Sequence, residues 1–142
     1  MFKRKLYFLL AMMMAMLLCI GSVSAAGSMI PWASLSLSTY RSIAYDGPSS
    51  GKVEIYYEVT AKGTVTTCGV SSISIYEEDG THVTTIHGAL TNGLLVFGSS
   101  HMGSYFYDGE SGVSYYAKVT FYASGSSGSD SRTVTTNVVR AP

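Results

Sequence analysis

The fold of this chain is decided by one stretch near its C-terminus, Tyr115-Tyr116-Ala117-Lys118-Val119-Thr120-Phe121-Tyr122. Every second residue from Tyr115 to Phe121 is apolar or aromatic, whereas the residues between them include Lys118 and Thr120. An alternation of period two is typical of a β-strand that buries one of its faces. The stretch therefore predicts a strand with one set of side chains in a hydrophobic core and the other set pointing outward.

Similar alternating stretches recur along the chain, and clusters of Gly, Ser, Asp and Pro separate them. The clearest is 52–61, where the odd-numbered residues from Val53 to Ala61 are predicted to face inward. Further strands are predicted at 34–45, 70–76, 81–86, 101–107 and 132–139, and the run 94–97 is predicted to form a strand or to cap the core. Residues 62–69 are predicted as a loop or short edge strand, 77–80 as a hairpin turn and 123–130 as a Ser/Gly loop.

These strands indicate an all-β fold, because no stretch beyond residue 26 shows the period of a helix. Seven or so short strands between turns are typical of an antiparallel β-sandwich. We expect this sandwich to span residues 34–142, with Val134, Thr136 and Val138 on one face of its last strand. A small closed barrel is the alternative.

The first 26 residues predict a secretory signal peptide, cleaved after Ala25 or Ala26. Three basic residues at positions 3–5 precede an apolar run at 6–20, and small residues predominate from 21 to 27. An uncleaved membrane anchor is disfavoured by this run of small residues. A lipoprotein anchored at Cys19 is disfavoured because the preceding residue is Leu18. We therefore expect a secreted, extracellular protein with a leader segment at 27–33 before the sandwich.

The charge of the predicted mature chain excludes two classes of partner. Loss of residues 1–26 removes three of the nine basic residues and none of the nine acidic residues. The six bases and nine acids that remain give a net charge of −3. We expect no nucleic-acid partner and, after cleavage, no membrane partner, because both need clusters of positive charge or a further apolar span.

Cys68 is the single cysteine of the predicted mature chain, since Cys19 lies in the signal peptide. An intramolecular disulfide is then impossible, and the core alone has to stabilise the domain. We expect Cys68 to be a small buried residue near the start of a strand. A reactive thiol or an intermolecular disulfide is the alternative.

The C-terminal part of the chain resembles fibronectin type III and related immunoglobulin-like domains. The resemblance lies in Tyr115-x-Ala117-x-Val119-x-Phe121, the Ser/Gly loop, Ser129-Asp130-Ser131 and the strand that follows. It implies that the Tyr115 hydroxyl bonds backward to the main chain, and that strands 70–76 and 115–122 are neighbours in one sheet. The chain departs from the family at Gly109, where a leucine is usual, and at Tyr57, where a tryptophan is usual. The whole chain also looks like small secreted single-domain β-sandwich proteins of Gram-positive bacteria.

The residues that could carry catalysis do not form a known constellation, and we predict no enzyme activity and no cofactor. His82 and His87 are five residues apart, which on a regular strand places them on opposite faces, and no zinc-ligand spacing is present. The acidic residues cluster in predicted turns, where water keeps carboxylates ionised. Residues 109–112 have the spacing Gly-x-Ser-Gly, which is not that of a nucleophile elbow.

Tyrosine gives the one functional hypothesis, since ten of the eleven tyrosines lie beyond the signal peptide. Tyr76, Tyr116 and Tyr122 have outward parity, and with Lys118 they would line one face of the sheet. Rings and hydroxyls of this kind suit stacking on sugars or anchoring a protein, although tyrosines also stabilise sheets through cross-strand pairs. We predict a secreted, non-catalytic module that binds a carbohydrate or a protein surface. The alternative is a structural protein that self-associates through free strand edges or Cys68.

Overall fold

The computed structural model describes residues 36–142, which form two antiparallel β-sheets. The predicted signal peptide and the leader 27–33 lie outside the described residues. No helix among the residues that are described is long and apolar enough to cross a membrane.

Nine strands follow one another along the described chain: β1 (Leu37–Asp46), β2 (Lys52–Ala61), β3 (Val65–Glu77), β4 (His82–His87), β5 (Leu95–Phe97), β6 (Ser100–Asp108), β7 (Ser114–Gly125), β8 (Gly128–Thr135) and β9 (Val139–Arg140). The smaller sheet has the order β1-β2-β6. The larger sheet has the order β4-β3-β7-β8, with β5 paired to β3 and β9 paired to β7. The predicted all-β sandwich is confirmed, with nine strands instead of about seven.

One hydrophobic core lies between the two sheets, and the predicted parity of β2 and β7 is confirmed. The odd-numbered residues of β2 from Val53 to Ala61 are all buried, and so are those of β7 from Tyr115 to Ala123. Phe121 is fully buried and packs against the ring of Tyr40 from the smaller sheet, with 5.8 Å between the ring centroids. The alternation in the sequence therefore decides which face of each sheet the core covers.

Three predicted boundaries are wrong. Residues 62–64 form a loop as predicted, but 65–69 are not a loop or an edge strand, because β3 begins at Val65 and lies between β5 and β7 at 67–69. Residues 123–130 are not a loop, since β7 continues to Gly125, and two serines join it to β8. Gly128 makes this tight turn possible with a φ of 117°, a conformation that other residues rarely adopt. The strand predicted at 132–139 is β8, which ends at Thr135, so Thr136 and Val138 lie beyond it and do not share a strand face, and the Val138 side chain is exposed.

Hydrogen bonds outside the strand ladders connect the two sheets and hold the C-terminus. The side chain of Asn137 accepts a bond from Ala44 N–H at 3.0 Å and donates one to Ala44 C=O at 2.9 Å. The last residue, Pro142, is held beside the start of β2, where Gly51 N–H donates to its carbonyl at 2.7 Å. Leu37, at the start of β1, pairs with Ala61, so it lies at the opposite end of the strands from Pro142.

The backward hydrogen bond expected of Tyr115 is present. Its hydroxyl accepts a bond from Glu110 N–H at 2.9 Å, although the rest of the Tyr115 side chain is buried. The ring also packs edge-on against Tyr107, with centroids 5.3 Å apart. Tyr115 therefore fixes the connection between β6 and β7 at the end of the sandwich.

Candidate binding face

The outward residues of β3, β4 and β7 form the candidate site. Tyr76 and Tyr116 are directly opposite each other on β3 and β7, and their rings stack at 5.2 Å with 12° between the ring planes. The ammonium group of Lys118 lies 4.9 Å from the centroid of the Tyr76 ring, which is a cation–π contact. The structure therefore places three of the four predicted ligand-binding residues together.

His82 also belongs to this site, although the sequence did not single it out for binding. It pairs with Tyr76 across the hairpin, and the two rings meet edge to face at 5.2 Å. Its Nε2 lies 2.9 Å from Thr85 Oγ1. The sequence feature that could have indicated this contact is the predicted hairpin turn 77–80, because Tyr76 and His82 flank it and can therefore pair across it. We call Tyr76, Tyr116, Lys118, His82 and Ser74 the tyrosine face.

The prediction that His82 and His87 lie on opposite sides of their strand is wrong. The pairing of β3 with β4 shifts between Ile75 and Tyr76, so that one residue of β4, Val83, has no direct partner. Because of this β-bulge, both histidines lie on the same face of the sheet: His82 pairs with Tyr76, and His87 pairs with Ser72. They are still separated by four residues of β3, about 13 Å along a strand. The described residues contain no group of three or more His, Cys, Asp or Glu that could hold a metal.

Hydroxyl groups continue the tyrosine face along the sheet. Ser74 lies between Thr85 and Lys118 in the pairing, and its Oγ is 2.9 Å from Thr85 Oγ1. Farther along, Thr120 Oγ1 is 3.0 Å from Thr133 Oγ1. The face is therefore aromatic at one end and rich in hydroxyls beyond it.

Tyr122, the fourth predicted ligand-binding residue, is on the same face but away from the stacked pair. It pairs with Gly69 on β3 and with Ser131 on β8. Tyr122 is six residues from Tyr116 on β7, which corresponds to about 20 Å along the strand. A single small sugar cannot contact both tyrosines, so Tyr122 is outside the tyrosine face.

An acidic depression lies at the hairpin that joins β3 and β4, at the same end of the sheet as the stacked tyrosines. The hairpin residues Glu77, Glu78 and Asp79 line it together with residues 112–114. Thr81 N–H donates to the Asp79 carboxylate at 2.8 Å, and this bond lowers the pKa of Asp79 below its ordinary value. Asp79 therefore stays ionised at neutral pH and can accept hydrogen bonds from a hydroxylated ligand.

Cys68 is a packing residue in the interior of β3. It is fully buried, opposite Ala123 on β7 and Val96 on β5. Burial raises the pKa of the Cys68 thiol above its ordinary value, so little thiolate forms at neutral pH. The expectation of a small buried residue near the start of a strand is confirmed, since Cys68 is the fourth residue of β3.

We expect Cys68 to react with an aromatic disulfide reagent only after the protein unfolds, because reaction needs an accessible thiolate. The measurement is labelling with and without denaturant, with peptide mapping to assign the modified cysteine. A Ser127→Cys variant is the matched control, since Ser127 is exposed in the turn between β7 and β8. Labelling of Cys68 in the native protein as fast as that control thiol would contradict the expectation.

Comparisons of this chain with protein-family models, with curated proteins and with solved structures found no match.

Proposed function

We propose that this protein is a secreted, non-catalytic binding module whose tyrosine face binds a carbohydrate. The observation that carries the proposal is the stacked pair of Tyr76 and Tyr116, flanked by Lys118 and by a row of hydroxyls on the outward side of the sheet. Lys118 is exposed, and both tyrosines are half-buried. Aromatic rings beside hydrogen-bonding groups are suited to sugars, which present C–H surfaces ringed by hydroxyls.

The two rings cover one face of each other, so a ligand meets their edges and their hydroxyls. β8 ends at Thr135, which pairs with Lys118, so no residue of β8 pairs with Tyr116. On the side of Tyr116 away from Tyr76, the chain runs from Thr136, which bonds to Ala117, to Val139, which pairs with Tyr115. A sugar therefore packs against the outward edges of the two rings. Lys118 donates to ligand oxygens, and Ser74 and Thr85 donate and accept on its other side.

Export and ancestry are parts of the same proposal. The basic, apolar and small-residue succession of the first 26 residues supports a cleaved signal peptide. The strand order β1-β2-β6 against β4-β3-β7-β8, with the Tyr115 hydroxyl bonded to Glu110 N–H, supports a relationship to fibronectin type III and immunoglobulin-like domains. We retain the likeness to small secreted proteins of Gram-positive bacteria as part of this proposal.

The test is binding to a glycan array, followed by affinity electrophoresis in gels that contain the polysaccharides bound on the array. A Tyr76→Ala/Tyr116→Ala variant is expected to lose about tenfold or more of its affinity, because stacked aromatic anchors dominate such contacts. Tyr122→Ala is expected to bind normally, since it lies about 20 Å from the pair. Tyr45→Ala is the matched control, because Tyr45 is an exposed tyrosine on β1 of the other sheet.

Circular dichroism establishes that each variant is folded before its binding is compared. Unchanged glycan binding by the folded double variant would exclude the tyrosine face as the site. Binding to extracellular proteins but to no glycan would favour the protein-surface alternative.

A further inference from the structure

A second surface of the molecule has the properties of a pairing site, and it lies in the smaller sheet. β6 is the last strand in the order β1-β2-β6, and no strand of residues 36–142 pairs with its outer edge. Its nine residues pair with β2 without a register shift from Ser100 to Asp108. The outward N–H and C=O groups of a regular, unpaired edge can extend the sheet with another strand.

The other edge strands are protected, whereas β6 is not. β1 has a register shift between Leu37 and Thr39, and it contains Arg41 and Asp46. β8 contains Asp130 and Arg132, and β4 is short and bulged. Charges and bulges of this kind prevent strands from adding at an edge. Between Ser100 and Asp108, β6 has no proline, lysine, arginine or bulge.

The outward face of β6 carries two large apolar side chains. Met102 is 63 % exposed and Phe106 is 45 % exposed, and both belong to β6 itself. Tyr45 on β1, also 45 % exposed, lies in the same row as Phe106, because both neighbour Glu54 of β2. Large apolar side chains on the edge strand of a sheet are typical of a surface that another chain covers.

We propose that β6 pairs antiparallel with β6 of a second copy of this chain, joining the two smaller sheets into one six-stranded sheet. The two-fold axis passes beside Ser104, so that each Ser104 faces Ser104 of the second copy. Met102 then lies opposite Phe106 of the second copy, and the symmetry makes this contact twice. Methionine beside an aromatic ring is a favourable contact, and in this register it forms on the outward face.

The charges on β6 are compatible with this arrangement. Asp108 is the one carboxylate of the strand, and the register places it opposite Ser100 of the second copy. Asp108 also has its own partner, because Lys52 Nζ lies 2.5 Å from its carboxylate. No like charges meet along the edge. Pairing of two nine-residue strands covers less than the roughly 1,600 Å² of a standard interface, so we expect a dissociation constant of about 1–100 μM.

The experiment is sedimentation equilibrium on the protein obtained by expressing the full sequence, with its N-terminus defined by mass spectrometry. The unmodified protein is expected to form dimers. Ser104→Lys is expected to weaken dimerisation by about tenfold or more, because two lysines would face each other across the axis. The variant keeps a donor beside Glu54, which accepts the Ser104 hydroxyl bond in the native fold. Thr39→Lys, on the exposed outward side of β1, is the matched control and is expected to dimerise normally.

A mixture of variants tests the register. Ser104→Lys and Ser104→Glu proteins, each weakened alone, are expected to form a one-to-one heterodimer when mixed, because opposite charges then face each other. Circular dichroism confirms that both are folded. A monomer across the concentration range, a dimer that survives Ser104→Lys, or a mixture that stays monomeric would each overturn the proposal. Glycan binding by the tyrosine face is measured separately and does not depend on the result.

Discussion

Replacing Asn137 by alanine is expected to lower the free energy of unfolding by about 2–4 kcal/mol, because it leaves two buried main-chain groups without partners. The Asn137 side chain bonds both the N–H and the C=O of Ala44, and Ala44 is only 2 % exposed. The amide thus makes the two hydrogen bonds to Ala44 that a neighbouring strand would otherwise make, and it links β1 to the segment that follows β8. Urea unfolding followed by circular dichroism measures the change.

Two further variants separate this effect from simple loss of side-chain contact. Asn137→Asp keeps an acceptor for Ala44 N–H but has no donor for Ala44 C=O, so we expect it to be destabilised as well. Val138→Ala is the neighbouring control, since Val138 is 47 % exposed, and a change within about 0.5 kcal/mol is expected there. If Asn137→Ala costs no more than Val138→Ala, the amide does not connect the sheets.

Replacing Gly69 by alanine is expected to cost about 3–5 kcal/mol, because two penalties act at this position together. Gly69 is buried with a φ of 145°, which strains any residue that has a Cβ atom. A Cβ at this position would also collide with the carbonyl oxygen of Leu94, a main-chain atom that cannot rotate away. Leu94 C=O accepts the Val70 N–H bond beside β5, so the collision would disturb the pairing of β3 with β5.

Gly128→Ala is the control that carries strain without collision. Its φ of 117° is also positive, but nothing lies within 4 Å of the position that a Cβ would occupy. We expect a cost of about 1–3 kcal/mol for this variant, from backbone strain alone. Equal costs in thermal unfolding for the two variants would show that Leu94 moves aside without penalty.

The sequence predicted most reliably where alternation is strong and most poorly where glycine and serine interrupt it. The inward residues of β2 and β7 were predicted because burial on one face imposes a period of two. The stretch 62–69 contains Gly63 and Gly69 and has few large apolar residues, so its alternation did not mark a strand. β3 passes through it because β5 and β7 supply hydrogen bonds on both sides of Cys68. The extent of β3 is therefore set by hydrogen bonds to strands that are distant in the sequence, which a local pattern does not show.

The candidate site was predicted only as far as the strand order allowed. The resemblance predicted that the strands of Tyr76 and Tyr116 are neighbours in one sheet, and β3 and β7 do pair. The register was not predictable, so Tyr122 was grouped with residues about 20 Å away. The bulge at Val83 places His82 beside Tyr76, and periodicity alone has no signal for an extra residue in a strand.

The positions of Leu37 and Pro142 at opposite ends of the strands have a mechanical consequence. Tension applied between these two points would act along the strands, over a span of about 30 Å. Such a load stretches the hydrogen bonds between β1 and β2 in shear, so that nine paired positions resist together. On the other side, β8 and β9 would have to slide along β7 in the same way. The domain is therefore expected to resist a pulling force along its strands better than a force across them, which would break the same hydrogen bonds one after another.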